Sequence, residues 1–416
     1  MNRPKLSHNV AALTLVQAAS YLFPLVTIPY LTRMLGVESF GKVVLVQSLM
    51  ALAAIVVDYG FSLSAVRTIA AVHDDKSAVS RIYAATLSSQ ALLYGACLLL
   101  AIGGLLLVPM GDADRYAYIA GALMAATGVA STQWLFQAFE QLKVYSLMQI
   151  GGRALSLPFL FLLVDGPEDV AGAIVFGNLG ALLANGFAIH WAHRRQMVQW
   201  SHPGRADLQD ALSTGFPIFT SKIATSVFQN SGVLVVGAVA GNSAAGLYAL
   251  AEKIRKTAQS VLQPVTQALY PRMCHLFGTD PAAARQMLRR VSPLILGAAA
   301  VGSLLLFVLA EPIVLAFGGA GYLDAVPLLR ILAALPLVAS ASSLAGLCVI
   351  LPKGLTKPYN AIIVASTLIY LAVLWPLVGG AGTTGAVIAL VIAETSAAIL
   401  AVTLAVRLVR RPLTAL

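Results

Sequence analysis

Four charged residues crowd five positions of an otherwise apolar stretch: Glu252, Lys253, Arg255 and Lys256. Charge inside hydrocarbon is costly, so such groups usually face a cavity or a partner. On a helix they point at roughly 0°, 100°, 300° and 40° from Glu252, within one broad arc. Glu252 and Lys256 are spaced i,i+4 and so placed to pair. Their depth beyond Gly246 is roughly 10–15 Å at 1.5 Å per residue, too far for Lys256 to reach an interface easily. Lys222 adds a further cation in the preceding stretch. Lysine and arginine lining a desolvated wall are suited to a phosphate or pyrophosphate. The competing reading pairs these charges with Glu252, backbone carbonyls and lipid headgroups.

Other charges lie within apolar runs. Arg153 is about ten residues past Lys143 and is a secondary cationic candidate, whereas Arg330 is within reach of an interface. Glu394 is a single carboxylate, open to two readings: a proton or sodium relay, or a protonated packing residue. Asp58, in Asp58-Tyr59-Gly60-Phe61, reads as structural.

Enzyme signatures are missing. The chain has no G-x-x-x-x-G-K-[ST] loop, no H-E-x-x-H and no G-x-S-x-G. Gly379-Gly380-Ala381-Gly382 lacks the lysine of a phosphate-binding loop and reads as a turn, as does Asp74-Asp75 beside Lys76. Cys97, Cys274 and Cys348 are too scattered for a metal site or a disulfide framework, and the six histidines form no cluster. Neither a metal nor a cofactor is expected.

The elements that carry these residues follow from composition. Of 416 residues 59% are hydrophobic and 11% charged, and mean hydropathy is +0.84. Soluble domains carry about 25% charge, so an all-α integral membrane protein is expected, with the first apolar run retained as a span. Runs long enough to cross about 30 Å of hydrocarbon cover 9–32, 43–65, 82–108, 116–138, 146–164, 170–192, 213–240, 246–271, 291–318, 325–351, 359–378 and 383–406. With the N-terminus cytoplasmic, eighteen of the 27 basic residues fall in inner segments, three (Arg33, Lys42, Arg115) in outer ones and six within spans. That bias places both termini inside. It also accounts for the +10 net charge without nucleic acid.

The chain repeats itself. Gly36-Val37-Glu38-Ser39-Phe40-Gly41 and Gly241-Asn242-Ser243-Ala244-Ala245-Gly246 share the form G-x4-G at an offset of 205 residues. Lys143-Val144-Tyr145 corresponds to Lys357-Pro358-Tyr359, and Ala171-Gly172-Ala173-Ile174 to Thr384-Gly385-Ala386-Val387. Two six-span lobes, 1–205 and 206–416, are expected, related by an axis along the membrane normal. The same offset maps Lys222 onto Gln17 and Glu252-Lys253 onto Gln47-Ser48. These polar positions would line a shared cavity with the cationic wall. Prolines 24, 29, 217, 264, 327 and 336 interrupt spans, with hinges favoured in the cavity-lining ones.

Pro29-x3-Arg33-x-Leu35-Gly36-x3-Phe40-Gly41 followed by Asp58-Tyr59-Gly60-Phe61 resembles the start of Wzx-type bacterial polysaccharide flippases. Gly246-x-Tyr248-x2-Ala251-Glu252-Lys253 and Tyr270-Pro271-Arg272 are similar to stretches of that family's second half. The resemblance covers essentially the whole chain. It implies a MATE-like bundle in the bacterial inner membrane that moves undecaprenyl-diphosphate-linked oligosaccharide to the periplasmic leaflet. Lipid-linked oligosaccharide, the bilayer and other polysaccharide-assembly proteins would be its partners. The alternatives are a cation-coupled exporter of multidrug or amphipathic substrates with the same fold, and a membrane-embedded glycan enzyme. Short outer loops disfavour the last.

Overall fold

A computed structural model describes residues 6–72, 74–109 and 111–410, with side chains from Phe23 onward except at Ala113, Ser221 and Arg410. Side-chain expectations for Arg3, Lys5, His8, Gln17, His73, Arg410 and Arg411 lie outside the described residues. The described residues form helices and turns, with no strand. Only helices and closed barrels satisfy their backbone polar groups internally in hydrocarbon. The order is α1 (Leu6–Asp58), α2 (Phe61–Ala71), α3 (Lys76–Leu107), α4 (Asp112–Met124), α5 (Gln133–Ala138), α6 (Leu142–Leu163), α7 (Val170–Arg194) and α8 (Arg205–Ala240). There follow α9 (Asn242–Ser260), α10 (Gln263–Thr279), α11 (Pro281–Val308), α12 (Ala310–Gly318), α13 (Ala325–Leu332), α14 (Leu335–Ala345) and α15 (Thr356–Arg410). Eight helical stretches are long and apolar enough to cross a membrane, and two of them, of 49 and 54 residues, are long enough to cross twice. On α3, Leu100, Leu106 and Leu107 are 78%, 81% and 84% exposed, as a lipid-facing surface requires.

Local chemistry explains where helices begin and bend. The Asp75 carboxylate accepts from the backbone N–H groups of Ser77 and Ala78, and Asp280 accepts from those of Ala282 and Ala283 with Pro281 opening α11. Pro264 opens α10, so the eighth expected span is two helices broken at Val261-Leu262. The G-x4-G repeat is a repeat of conformation. Gly36 adopts φ 71°, ψ −178° and Gly241 φ 88°, ψ 176°, a region essentially closed to residues with a Cβ. Gly41 and Gly246 are both buried. Tyr145 and Tyr359 likewise each occupy the fourth position of their helix, α6 and α15.

The chain divides into two compact units, Met1–Asn230 and Ser231–Leu416. The boundary expected at 205/206 falls at the start of α8, whose first half packs with the first unit. That unit is centred on Trp134, Tyr83, Phe136 and Ile69. It is cross-braced by the Tyr145 hydroxyl donating to Asn185 Oδ1 at 2.9 Å and the Asn185 amide donating to the Thr127 carbonyl at 3.1 Å. In the second unit Met273, Ile295 and Leu344 pack together, and the Lys353 ammonium donates to the Leu408 carbonyl at 2.7 Å.

A close approach of two glycines seats α8 on the first unit. A Cβ at Gly60 would stand 2.7 Å from the Gly215 carbonyl oxygen, and one at Gly215 would stand 2.6 Å from the Tyr59 carbonyl oxygen. Beside them Tyr59 stacks on Phe219, with ring centroids 4.7 Å apart and 18° between planes. Gly215→Ala is therefore expected to cost roughly 1–3 kcal/mol through overpacking against backbone that cannot move aside. Gly95→Ala, on α3 where nothing lies within 4 Å of the added methyl, is expected to stabilise by roughly 0.5–1 kcal/mol. Melting temperatures of the two variants in detergent, compared with the parent chain, check both signs.

Candidate functional site

Helix α9 carries the charged arc. Ala245, Leu250, Ala251 and Ile254 bury its apolar side, and Glu252 and Arg255 are buried with them, 7% and 3% exposed. Spacing at i,i+3 brings carboxylate and guanidinium together as a fork. Arg255 Nε donates to Glu252 Oε2 at 2.7 Å and Nη2 to Oε1 at 2.8 Å. The third arm, Nη1, donates to Gln259 Oε1 at 2.5 Å and lies 3.7 Å from Glu394 Oε1 on α15. Lys256 reaches Glu252 Oε1 at 3.3 Å, the i,i+4 pair expected from the spacing, and its side chain remains 47% exposed. Lys253 is half-buried next to the like charge of Lys256.

The physical consequence is a division of labour within the arc. Buried ions persist only when paired and hydrogen-bonded, and Arg255 spends its planar donor set on Glu252, Gln259 and Glu394. It therefore ties α9 to α15. Lys253, Arg255 and Lys256 stand with the carboxylates of Glu252 and Glu394, and of the three cations Lys256 is the most exposed, its side chain at 47%. An anion could be met there without opening the Arg255 fork.

The remaining candidates fall elsewhere. Lys222, on the first half of α8, pairs with Asp58 Oδ2 at 2.7 Å and also donates to the Ser62 hydroxyl. Ser62 in turn donates from its hydroxyl to Asp58 Oδ2 at 3.1 Å and from its backbone N–H to Asp58 Oδ1 at 3.2 Å. Asp58 is thus the partner of Lys222 within the first unit, a pairing across 164 residues that no local spacing announces. Gln47 is half-buried, and the buried Ser48 hydroxyl donates back to the Val44 carbonyl at 2.8 Å. Arg153 is exposed on α6. The Gln17 side chain is outside the described residues. Among the described residues no group of three or more His, Cys, Asp or Glu is arranged to hold a metal ion.

Comparison with known proteins gives this geometry a family. Residues 6–277 match the family described as "Polysaccharide biosynthesis protein". The chain is 30% identical over 381 residues to a protein of Escherichia coli (strain K12) named as an O-antigen transporter, covering 91% of each chain. It is 27% identical over 386 residues to a Shigella dysenteriae protein of the same name, covering 93% of this chain and 96% of that one. Among solved structures it resembles an inward-facing multidrug resistance MATE family transporter, with TM-score 0.73, 16% identity and coverage of 93% and 94%. It also resembles the lipid II flippase MurJ in an inward closed conformation, with TM-score 0.74, 11% identity and coverage of 94% and 86%. At such identities these structures speak to the fold alone. A multi-pass helical membrane protein with a MATE-like fold, the chain belongs to the polysaccharide biosynthesis protein family.

Proposed function

We propose that this protein flips lipid-linked oligosaccharide across the bacterial inner membrane by alternating access, with undecaprenyl diphosphate as the lipid carrier. The observation that carries this reading is the set of three cations, Lys253, Arg255 and Lys256, that α9 carries with one carboxylate of its own, Glu252, inside a membrane protein of the polysaccharide biosynthesis family. A diphosphate is the charged part of such a lipid, and ammonium groups are donors suited to it. Lys253 and Lys256 grip it, and Arg255 positions α9 beneath them. Lys222 and Arg153 are secondary cations, the former released when its pairing with Asp58 opens. Gln47, half-buried on α1, adds a polar group to the first lobe. Glu394 is the coupling carboxylate: protonating it removes one negative charge from the cluster and loosens the contact with Arg255. Both termini face the cytoplasm, in keeping with the excess of basic residues there, and polysaccharide-assembly proteins meet the product on the far side.

The likeness to a multidrug transporter supports a second reading, cation-coupled export of multidrug or amphipathic substrates. Purified protein in liposomes separates the two. Transport of a fluorescent lipid-diphosphate oligosaccharide at least ten-fold above protein-free vesicles, with ethidium unmoved, is the expected outcome. Ethidium transport without lipid flipping would establish the exporter instead.

A further inference from the structure

Next to the contact of Gly60 with Gly215, a cavity of about 260 Å³ separates the first turns of α8 from α2 and α3. Thr68, Arg81, Asp207, Asp210 and Thr214 are among the residues that line it, all within the first unit. Arg81 and Asp210 are exposed and Asp207 is half-buried. Asp207 Oδ2 accepts from the Gly204 backbone N–H at 2.8 Å, which leaves its other oxygen for the cavity. Among the described residues no ion pair joins Arg81 to either carboxylate. Charges of opposite sign therefore line one cavity without closing on each other.

The neighbouring residues set the depth of this cavity in the membrane. The Ser80 hydroxyl, one residue from Arg81, accepts from the Gln199 backbone N–H at 2.9 Å. Trp200 follows, 76% exposed, its ring stacked on His193 with centroids 4.4 Å apart and 18° between planes. The Arg195 guanidinium lies 4.7 Å from the centroid of Trp191. Tryptophans at the ends of membrane helices mark the level of the lipid headgroups. The charges then narrow the ligand. A simple cation is repelled by Arg81, and a simple anion by Asp207 and Asp210, so a ligand bearing both signs fits best. A guanidinium is suited to a phosphate, and carboxylates accept from a primary ammonium, which carries three N–H donors. The cavity is smaller than the roughly 300–1,000 Å³ of drug-sized pockets, which suits a headgroup whose chains stay in the bilayer. We infer that this cavity binds the headgroup of a zwitterionic aminophospholipid, with its phosphate on Arg81 and its ammonium on Asp207 and Asp210. Such a site is independent of what the protein transports.

The test titrates the full-length protein in detergent with three phospholipids of matched chains and counts bound lipid by native mass spectrometry. Phosphatidylethanolamine carries phosphate and primary ammonium. Phosphatidylcholine keeps both charges but has no N–H on its nitrogen, and phosphatidylglycerol has the phosphate alone. The wild type should bind phosphatidylethanolamine about three-fold or more tightly than either of the others, a margin within reach of exposed ion pairs. Arg81→Gln should weaken all three lipids, because each presents a phosphate. Asp210→Asn should weaken phosphatidylethanolamine alone; Asp207 is kept because it also holds Gly204. Both variants should melt with the wild type, since neither side chain is in an ion pair. Equal affinity of the wild type for the three lipids overturns the site, and so does a preference that survives both substitutions. A merely structural role, in which both variants melt lower and lose all three lipids alike, overturns it too. Free phosphoethanolamine that displaces the lipid at equal concentration would give the cavity to a soluble ligand and overturn the lipid assignment.

Discussion

Replacing Arg255 with alanine is expected to lower stability by about 3–5 kcal/mol, the cost of stranding a buried carboxylate without its partner. The guanidinium is 3% exposed and makes two hydrogen bonds to Glu252 within 2.8 Å. Its removal also leaves Gln259 and Glu394 without the group that draws α15 towards α9. Arg255→Lys keeps the charge and loses the planar fork, so it should recover only part of the loss. The double change Glu252→Gln with Arg255→Gln should cost less than the sum of the two singles, because the pair acts as a unit. Equilibrium unfolding in mixed micelles measures all five variants. Additive losses would show that the fork is not the contact that matters.

Lys253→Gln with Lys256→Gln is expected to behave in the opposite way, leaving the fold intact and abolishing transport. Lys256 is 47% exposed and its pairing with Glu252 at 3.3 Å is loose beside the Arg255 fork, so its loss should change stability by about 1 kcal/mol or less. A charge-assisted hydrogen bond to a ligand is worth about 1.5–3 kcal/mol, roughly one to two powers of ten in affinity for each lysine. Flipping of the lipid-diphosphate oligosaccharide in liposomes should fall at least a hundred-fold in the double variant, with unfolding near that of the wild type. Flipping at the wild-type rate would remove both lysines from the site.

The fold was legible where its causes are local. Apolar runs mark the membrane segments. The G-x4-G pair marks two turns that share a backbone conformation, at Gly36 and Gly241. The i,i+4 pairing of Glu252 with Lys256 follows from helical spacing and is present. What escaped the sequence is tertiary. Glu394 reaches Arg255 across 139 residues, and Asp58 reaches Lys222 across 164, each an ion pair between separate helices. The unit boundary at Asn230–Ser231 lies well inside α8 because Gly60 meets Gly215 and Lys222 meets Asp58, contacts that no periodicity encodes.

On the proposed function α9 presents the ammonium groups of Lys253 and Lys256 to a diphosphate. The most direct measurement is the affinity of the purified protein for a short-chain lipid diphosphate, set against the same lipid with a neutral headgroup, in the wild type and in the Lys253→Gln, Lys256→Gln double variant. A preference for the diphosphate of at least ten-fold is expected in the wild type and is lost in the double variant. Equal affinity of the wild type for both lipids, or a preference that survives removal of both lysines, would contradict it.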